Sequence, residues 1–404
     1  MTDASPPTPT PADVPAPISL HKPGDPPTRE LGRVPATPPT PEVRTLQVEF
    51  SGDAREYFRI WIVNVALSVV TLGLYSPWAR VRTRQYFYGH TRLEGHPFEY
   101  TAQPLALLRS FLIVAALFVV YTLSQQLPKF QWVSFVMIAL FGLAYPWLVY
   151  RSLRFNAANT VYRGLNFRFH GTPGAAYVAY LFIMLTLPFT GGLTYPLARW
   201  MQHRYILQGL AYGTTRARWN KDVGPVYVAY LKGVGVAIGV GVLAVLAVLL
   251  LVWTLGSGLN GDLSDLLDVV LLEVLSTGSY VAVALGFGAL YLGYILLVLG
   301  VGQYLHAAVL RYSLDGLYFG ETLRLHTTFR PSRLAWIHVT NTLAQLFTLG
   351  LLTPWAVVRR TRYLLDGVQV QTIADLDHFS ADSTPTESAL GEAAHEFFNF
   401  DLGF

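Results

Sequence analysis

The sequence predicts an all-α polytopic membrane protein with small cytoplasmic β-elements. Three observations predict it: long stretches without Asp, Glu, Lys or Arg, a threefold internal repeat, and short alternating segments around each copy. Of the 404 residues 52% are hydrophobic and only 13% charged, about half the charge of an ordinary globular chain. Such a chain is dissolved in lipid.

Four uncharged runs, 110–128, 130–150, 233–261 and 274–310, are each long enough to cross, because a hydrocarbon core of about 30 Å needs about 20 helical residues. They predict transmembrane helices at about 107–127, 131–150, 233–257 and 277–303. Gly235 and Gly239, at four-residue spacing in the third, suit close packing of two membrane helices. Outside this membrane domain (45–373) lie two tails. Residues 1–44 form a Pro/Thr-rich leader with 13 prolines in the first 41 positions, expected to stay disordered. Residues 374–404 carry seven Asp or Glu and no Lys or Arg, an acidic tail expected in the cytoplasm.

Three more uncharged runs, 60–79, 169–198 and 334–358, belong to the repeat. Blocks 48–86, 167–205 and 325–363 align without a gap and share six identical columns: Thr71/Thr190/Thr348, Gly73/Gly192/Gly350, Leu74/Leu193/Leu351, Pro77/Pro196/Pro354, Ala79/Ala198/Ala356 and Tyr86/Tyr205/Tyr363. RTLQVEF, TRLEGHPFEY, YRGLNFRF and TLRLHTT around the copies alternate with the period of a strand.

Each repeat run carries a Gly and a Pro four residues apart, a pair that interrupts a helix. The charges favour a run that turns back. If all seven runs crossed, the 29 Lys and Arg would divide 17 to 12; if the three repeat runs re-enter on one face, only Lys129 lies outside. The second arrangement fits the positive-inside rule and puts both termini in the cytoplasm. The expected architecture is therefore four spanning helices and three broken or re-entrant segments of one orientation.

The stretch from Phe50 to Tyr100 carries Asn64, Thr71, Leu72, Gly73, Tyr75, Pro77, Trp78, Ala79, Arg82 and Tyr86-Phe87-Tyr88, and the chain closes on LGEAAHEFFNFDLGF. In these features it resembles the YjgN-type family of bacterial inner-membrane proteins, a domain of unknown function, over about residues 46–404. The resemblance implies a multi-pass inner-membrane location and brings no reaction, ligand or catalytic residue. The central copy departs from the pattern: TGGLTYPLARW replaces the fuller motif, and Ile183 stands where Asn64 and Asn341 stand.

Asn64 and Asn341, with His338 and Gln345, are polar groups inside apolar runs. Their readings are a polar path or, more simply, satisfaction of carbonyls freed at the break. Trp78 with Arg80, Arg82 and Arg84, and Trp355 with Arg359 and Arg360, read as interfacial anchors or as a site for anionic lipid headgroups. Asp262, Asp265, Asp268 and Glu273 would keep an outside loop soluble. No HExxH, GxSxG or P-loop is present and no cysteine, so no catalytic residue, metal site or cofactor is nominated and the chain is not read as an enzyme.

Repeats and broken segments point first to a channel or transporter; a lipid-binding or scaffolding protein is the alternative. Membrane lipids, anionic ones included, are the expected partners. A homo-oligomer is left open. No basic stripe with interleaved exposed aromatics points to nucleic acid.

Overall fold

The computed structural model describes residues 43–257 and 280–373. Its centre is a closed ten-stranded antiparallel barrel, which overturns the expectation of an all-α chain with small β-elements. The strands are β1 (Arg44–Phe50), β2 (Thr91–Leu93), β3 (His96–Tyr100), β4 (Thr160–Tyr162), β5 (Leu165–Phe169), β6 (Leu210–Tyr212), β7 (Thr215–Trp219), β8 (Leu317–Phe319), β9 (Leu323–Thr327) and β10 (Val368–Thr372). Each pairs with its neighbours in sequence, and β10 returns to β1 with Arg44 opposite Thr372. The period-two pattern marked strands of three to seven residues; closure depends on pairings across most of the chain, which no local pattern carries.

Alternate strand residues face inward. Val48, Leu93, Tyr162, Tyr212, Ala217, Trp219, Leu317, Phe319 and Val370 form one buried cluster, with Phe98 and Phe167 packed against it. The interior is filled by side chains, as in other small barrels. Its few polar atoms find backbone partners: the Tyr162 hydroxyl donates to the Leu93 carbonyl at 2.9 Å, the Tyr212 hydroxyl to the Tyr162 carbonyl at 3.0 Å, and Trp219 Nε1 to the Ser313 carbonyl at 2.8 Å.

The two ends of the barrel differ. At one end lie the tight turns of β2–β3, β4–β5, β6–β7 and β8–β9. Glu94-Gly95 and Arg163-Gly164 have positive φ at both positions, the geometry that matches strand twist, and Arg163 pairs with Glu94 across the two turns at 3.2 Å. At the other end five helical pairs leave and return. Three are short: α1 (Ala54–Val70) with α2 (Ser76–Gly89); α5 (Pro173–Tyr177), a π-helical stretch Val178–Phe182 and α6 (Ile183–Leu185) with α7 (Tyr195–Gly209); and α10 (Pro331–Phe347) with α11 (Thr353–Asp366). Two are long: α3 (Pro104–Gln126) with α4 (Gln131–Ala158), and α8 (Gly224–Ser257) with α9 (Tyr280–Leu314). Because neighbouring strands pair antiparallel, every helical pair starts and ends at the same rim.

Among the described residues, four helices are long and apolar enough to cross a membrane: Pro104–Gln126, Trp132–Ala158, Gly224–Leu243 and Tyr291–Leu314. The α8–α9 contact falls at Gly233, where an added Cβ would lie 2.8 Å from Leu305 Cδ2. Gly235 and Gly239, expected to make that contact, meet nothing among the described residues. The leader to residue 42, the acidic group Asp262, Asp265, Asp268 and Glu273, positions 277–279 and the acidic tail from 374 lie outside the described residues; Arg44, assigned to the leader, opens β1.

Candidate lipid-facing site

The three short hairpins share one construction, and it accounts for most of the identical columns. At each tip the glycine sits in a left-handed conformation, with φ of 87° at Gly73, 86° at Gly192 and 86° at Gly350. Its N–H reaches back five residues, to the carbonyls of Ser68, Leu187 and Gln345 at 2.7, 3.0 and 2.7 Å. That closure satisfies a carbonyl at the helix end and requires a positive φ.

The threonine two residues earlier serves both helices. Thr71 Oγ1 donates to the Leu67 carbonyl at 2.7 Å and accepts from the Tyr75 N–H at 3.0 Å. Thr348 does the same with Ala344 and Leu352 at 2.7 and 3.2 Å. In the middle hairpin Thr190 donates to the Thr186 carbonyl and meets Thr194 Oγ1, both at 3.0 Å.

Pro77, Pro196 and Pro354 fall in the first turn of α2, α7 and α11. The helix is interrupted where the Gly–Pro spacing marks it, and each proline stands just inside the second arm. In a first turn the missing N–H costs nothing and the fixed φ favours the start.

The tyrosine column closes the base. The Tyr86 hydroxyl accepts from the Asp53 N–H at 2.8 Å and donates to the Asp53 carbonyl at 2.9 Å. Tyr205 donates to the Thr172 carbonyl at 3.1 Å, and Tyr363 accepts from the Arg330 N–H at 3.0 Å. The separation is 33 residues in each case. This role was missed in the sequence, although identity of the column was its signal.

Asp53 also caps α1, its Oδ1 accepting from the Arg55 and Glu56 N–H groups at 2.8 and 3.2 Å. Those backbone bonds hold its carboxyl below the ordinary 3.8. A depressed folded value stabilises the fold above pH 3.8, and that contribution is lost as pH falls through the folded value. Asp53→Asn, which still caps, is expected to melt like the parent at pH 6 but to show a shallower decline in melting temperature between about pH 5 and pH 3. Parallel curves would remove the cap from the acid response.

The predicted amides behave as hairpin ties. Asn64 Nδ2 donates to the Ala79 carbonyl at 3.3 Å and Asn341 Nδ2 to the Ala356 carbonyl at 2.9 Å, both side chains buried. Alanine in that column lets the helices approach. Gln345 Nε2 donates to Thr353 Oγ1 at 3.3 Å, and His338 is half-buried.

The two arginine rows divide. Arg84 points to the barrel side, donating to the Tyr100 hydroxyl at 2.8 Å and to Asn156 Oδ1 at 2.6 Å. Arg82 reaches the Tyr75 hydroxyl at 3.3 Å, and Tyr75 stacks on Trp78. Arg80 lines a groove of about 460 Å³ between α1 and α2. Arg359 stacks over Trp355 and donates to Thr340 Oγ1 and Asn341 Oδ1 at 2.8 and 2.9 Å, while Arg360 is half-buried.

One column is left largely uncovered by the described residues. Leu74, Leu193 and Leu351 are 50%, 74% and 56% exposed, and beside them stand Leu72 at 92%, Phe189 at 89% and Leu349 at 95%. Leu72 and Leu349 each hold φ at 50°, a left-handed conformation costing an L side chain about 1–2 kcal/mol. Among the described residues little packing offsets that cost. Exposed apolar surface of this kind marks a contact with something else.

Residues 45–397 match the family model described as a bacterial protein of unknown function (DUF898). The chain belongs to this family. Among curated relatives it is 25% identical to the inner membrane protein YjgN of Salmonella typhimurium over 368 residues, 84% of this chain and 92% of the relative. The inner membrane proteins YjgN of Escherichia coli O157:H7 and of Escherichia coli strain K12 match over shorter stretches, at 26% and 29% identity over 38% and 30% of each chain. No solved structure matches. The family therefore carries the membrane expectation, in agreement with the four apolar helices, and leaves the function open.

Proposed function

We propose that this chain is a lipid-interacting scaffold of the inner membrane. Its barrel lies at the cytoplasmic face, its two long helical pairs span, and its three repeated hairpins enter one leaflet and return. The observation that carries the reading is the set of exposed leucines at the three tips, two of them held in a strained backbone conformation.

Helix lengths support the depth. The outermost cations on the rising and returning helices are Arg80, Arg109, Arg151, Arg199, Lys232 and Arg359, which lie about 7–15 Å above the rim at 1.5 Å per residue. Beyond them, among the described residues, only Lys129 at the far end of the α3–α4 pair is charged. Cations and Trp at one level fit the cytoplasmic headgroups. The 17-residue α1 and α10 rise about 25 Å, so their tips pass the collar by about 10–15 Å, half of a hydrocarbon core of about 30 Å. The four-span helices continue well past that depth. The channel or transporter reading lacks comparable support: the barrel axis is filled by Trp219, Tyr162, Tyr212 and Phe319, and the two amides tie hairpins together.

The test uses the natural absence of cysteine. Spin labels at Leu72, Leu193 and Leu349 in nanodiscs are expected to show oxygen accessibility of the acyl region and little access to a water-soluble nickel reagent, whereas labels at Glu94 and Arg163 show the reverse. Water-accessible tips would end this reading.

A further inference from the structure

Asn64 and Asn341 are equivalent positions with unequal surroundings. Both amides must present Nδ2 to an alanine carbonyl, which fixes Oδ1 on the opposite side. In the third hairpin that oxygen receives Arg359 Nη1 at 2.9 Å. In the first, the matching Arg82 is turned to the Tyr75 hydroxyl, and Asn64 Oδ1 is buried with no hydrogen-bond partner among the described residues. Asn64 as a residue is only 5% exposed. Ser76 Oγ, nearby, is likewise buried without a partner. Both residues line the α1–α2 groove, whose other walls include Trp61, Val65, Val69 and Arg80. A buried acceptor left unsatisfied is destabilising, and an amide oxygen and a hydroxyl so placed at one open groove indicate a missing polar partner that can donate to Asn64.

We infer that this groove binds the headgroup of an anionic glycerophospholipid bearing a free hydroxyl, of the phosphatidylglycerol type. The inference rests on the leaflet-entering reading above and names the lipid for one of its three hairpins. A headgroup hydroxyl donates to Asn64 Oδ1 and exchanges a hydrogen bond with Ser76 Oγ. The phosphate is drawn by the Arg80 guanidinium, and acyl chains run along Val65 and Val69 toward the tip. The same guanidinium disfavours an ammonium donor, so phosphatidylethanolamine is discriminated against by charge. Depth agrees: Asn64 stands ten residues above the foot of α1, about 15 Å, level with the cationic collar. The middle hairpin, with Ile183 in place of the amide, and the third, whose amide is already satisfied, lack the site.

The full chain is purified into nanodiscs of phosphatidylethanolamine with phosphatidylglycerol, and retained lipid is counted by native mass spectrometry after mild detergent exchange. Retained phosphatidylglycerol per chain is expected to fall roughly three- to tenfold in Asn64→Ala and in Ser76→Ala, the loss of one net hydrogen bond, with phosphatidylethanolamine unchanged. Asn341→Ala is expected to leave retention at the parental level. Melting temperatures are recorded beside each count, and Ser76→Ala, which removes only a hydroxyl, keeps the test decisive where Asn64→Ala unfolds. Equal loss of both lipids, unchanged retention in both variants, or displacement by inorganic phosphate as readily as by glycerophosphoglycerol would overturn the assignment. So would loss on Arg333→Ala at the second groove, about 470 Å³ beside Arg359 and Arg362, without loss at Asn64. None of these outcomes changes the depth of the tip labels, which tests the leaflet reading separately.

Discussion

Trp219→Ala is expected to lose about 3–5 kcal/mol of folding stability, the range for deleting a large buried aromatic. The indole is 2% exposed at the end of β7 and faces Trp200 with ring centroids 5.9 Å apart. Its Nε1 donates to the Ser313 carbonyl at 2.8 Å, which ties the barrel interior to the last turn of α9. Removal opens a cavity and orphans that carbonyl together. Trp219→Phe, which keeps most of the area, is expected to lose far less, about 1–3 kcal/mol for the unpaired acceptor and reduced packing. Chemical unfolding in micelles, followed by near-ultraviolet circular dichroism, reads both. A loss under about 1 kcal/mol for the alanine would mean that the interior is not packed, and the case against an axial path would go with it.

The second large effect concerns the tips. In Leu72→Asp and Leu349→Asp the fold should stand, because each side chain is more than nine-tenths exposed and touches little of its own chain. Membrane entry should not. A carboxylate deep in a bilayer costs about 2.5–3.5 kcal/mol on insertion scales, so a spin label at Leu74 or Leu351 should move from the acyl region toward the headgroups. Leu72→Gly separates strain from contact. Glycine adopts a φ of 50° freely, so this variant should gain up to about 1 kcal/mol of stability while giving up lipid contact. A leucine kept where glycine would be more stable is what a surface selected for lipid would hold. If the aspartate variants leave the labels at their original depth, the tips do not enter the leaflet.

Several parts of this arrangement were legible from residues alone. Charge exclusion located the long helices, since Arg109, Arg151 and Lys232 bound the apolar stretches of α3, α4 and α8. The identical Thr, Gly, Pro and Tyr columns marked the hairpins, and the structure attaches a hydrogen bond to the Thr and Tyr columns, a left-handed angle to the Gly column and a first-turn position to the Pro column. The odd central copy was also visible: Ile183 and the Gly191-Gly192 pair foreshadow a first arm divided among short α, π and 3-10 turns. Other features were only partly legible. The Gly–Pro pairs marked each interruption but not that the prolines start the second arm, because sequence spacing shows where a helix is interrupted and not which side of the interruption a residue serves. The arginine rows looked uniform, yet Arg84 holds Asn156 while Arg82 holds Tyr75.

Local chemistry by itself determined where lipid can contact the chain, where strands can form and how each hairpin turns, since hydropathy, alternation and left-handed glycines act over a few residues. Only the tertiary structure decided that the ten short strands close on one another, that all five helical pairs therefore leave a single rim, and that Asn341 has an arginine where Asn64 has an empty acceptor. Those outcomes depend on pairings between residues such as Arg44 and Thr372, and on which rotamer a long side chain takes against its neighbours. Neither is written into any short window of sequence, because both are settled by competition among distant partners for the same hydrogen bonds.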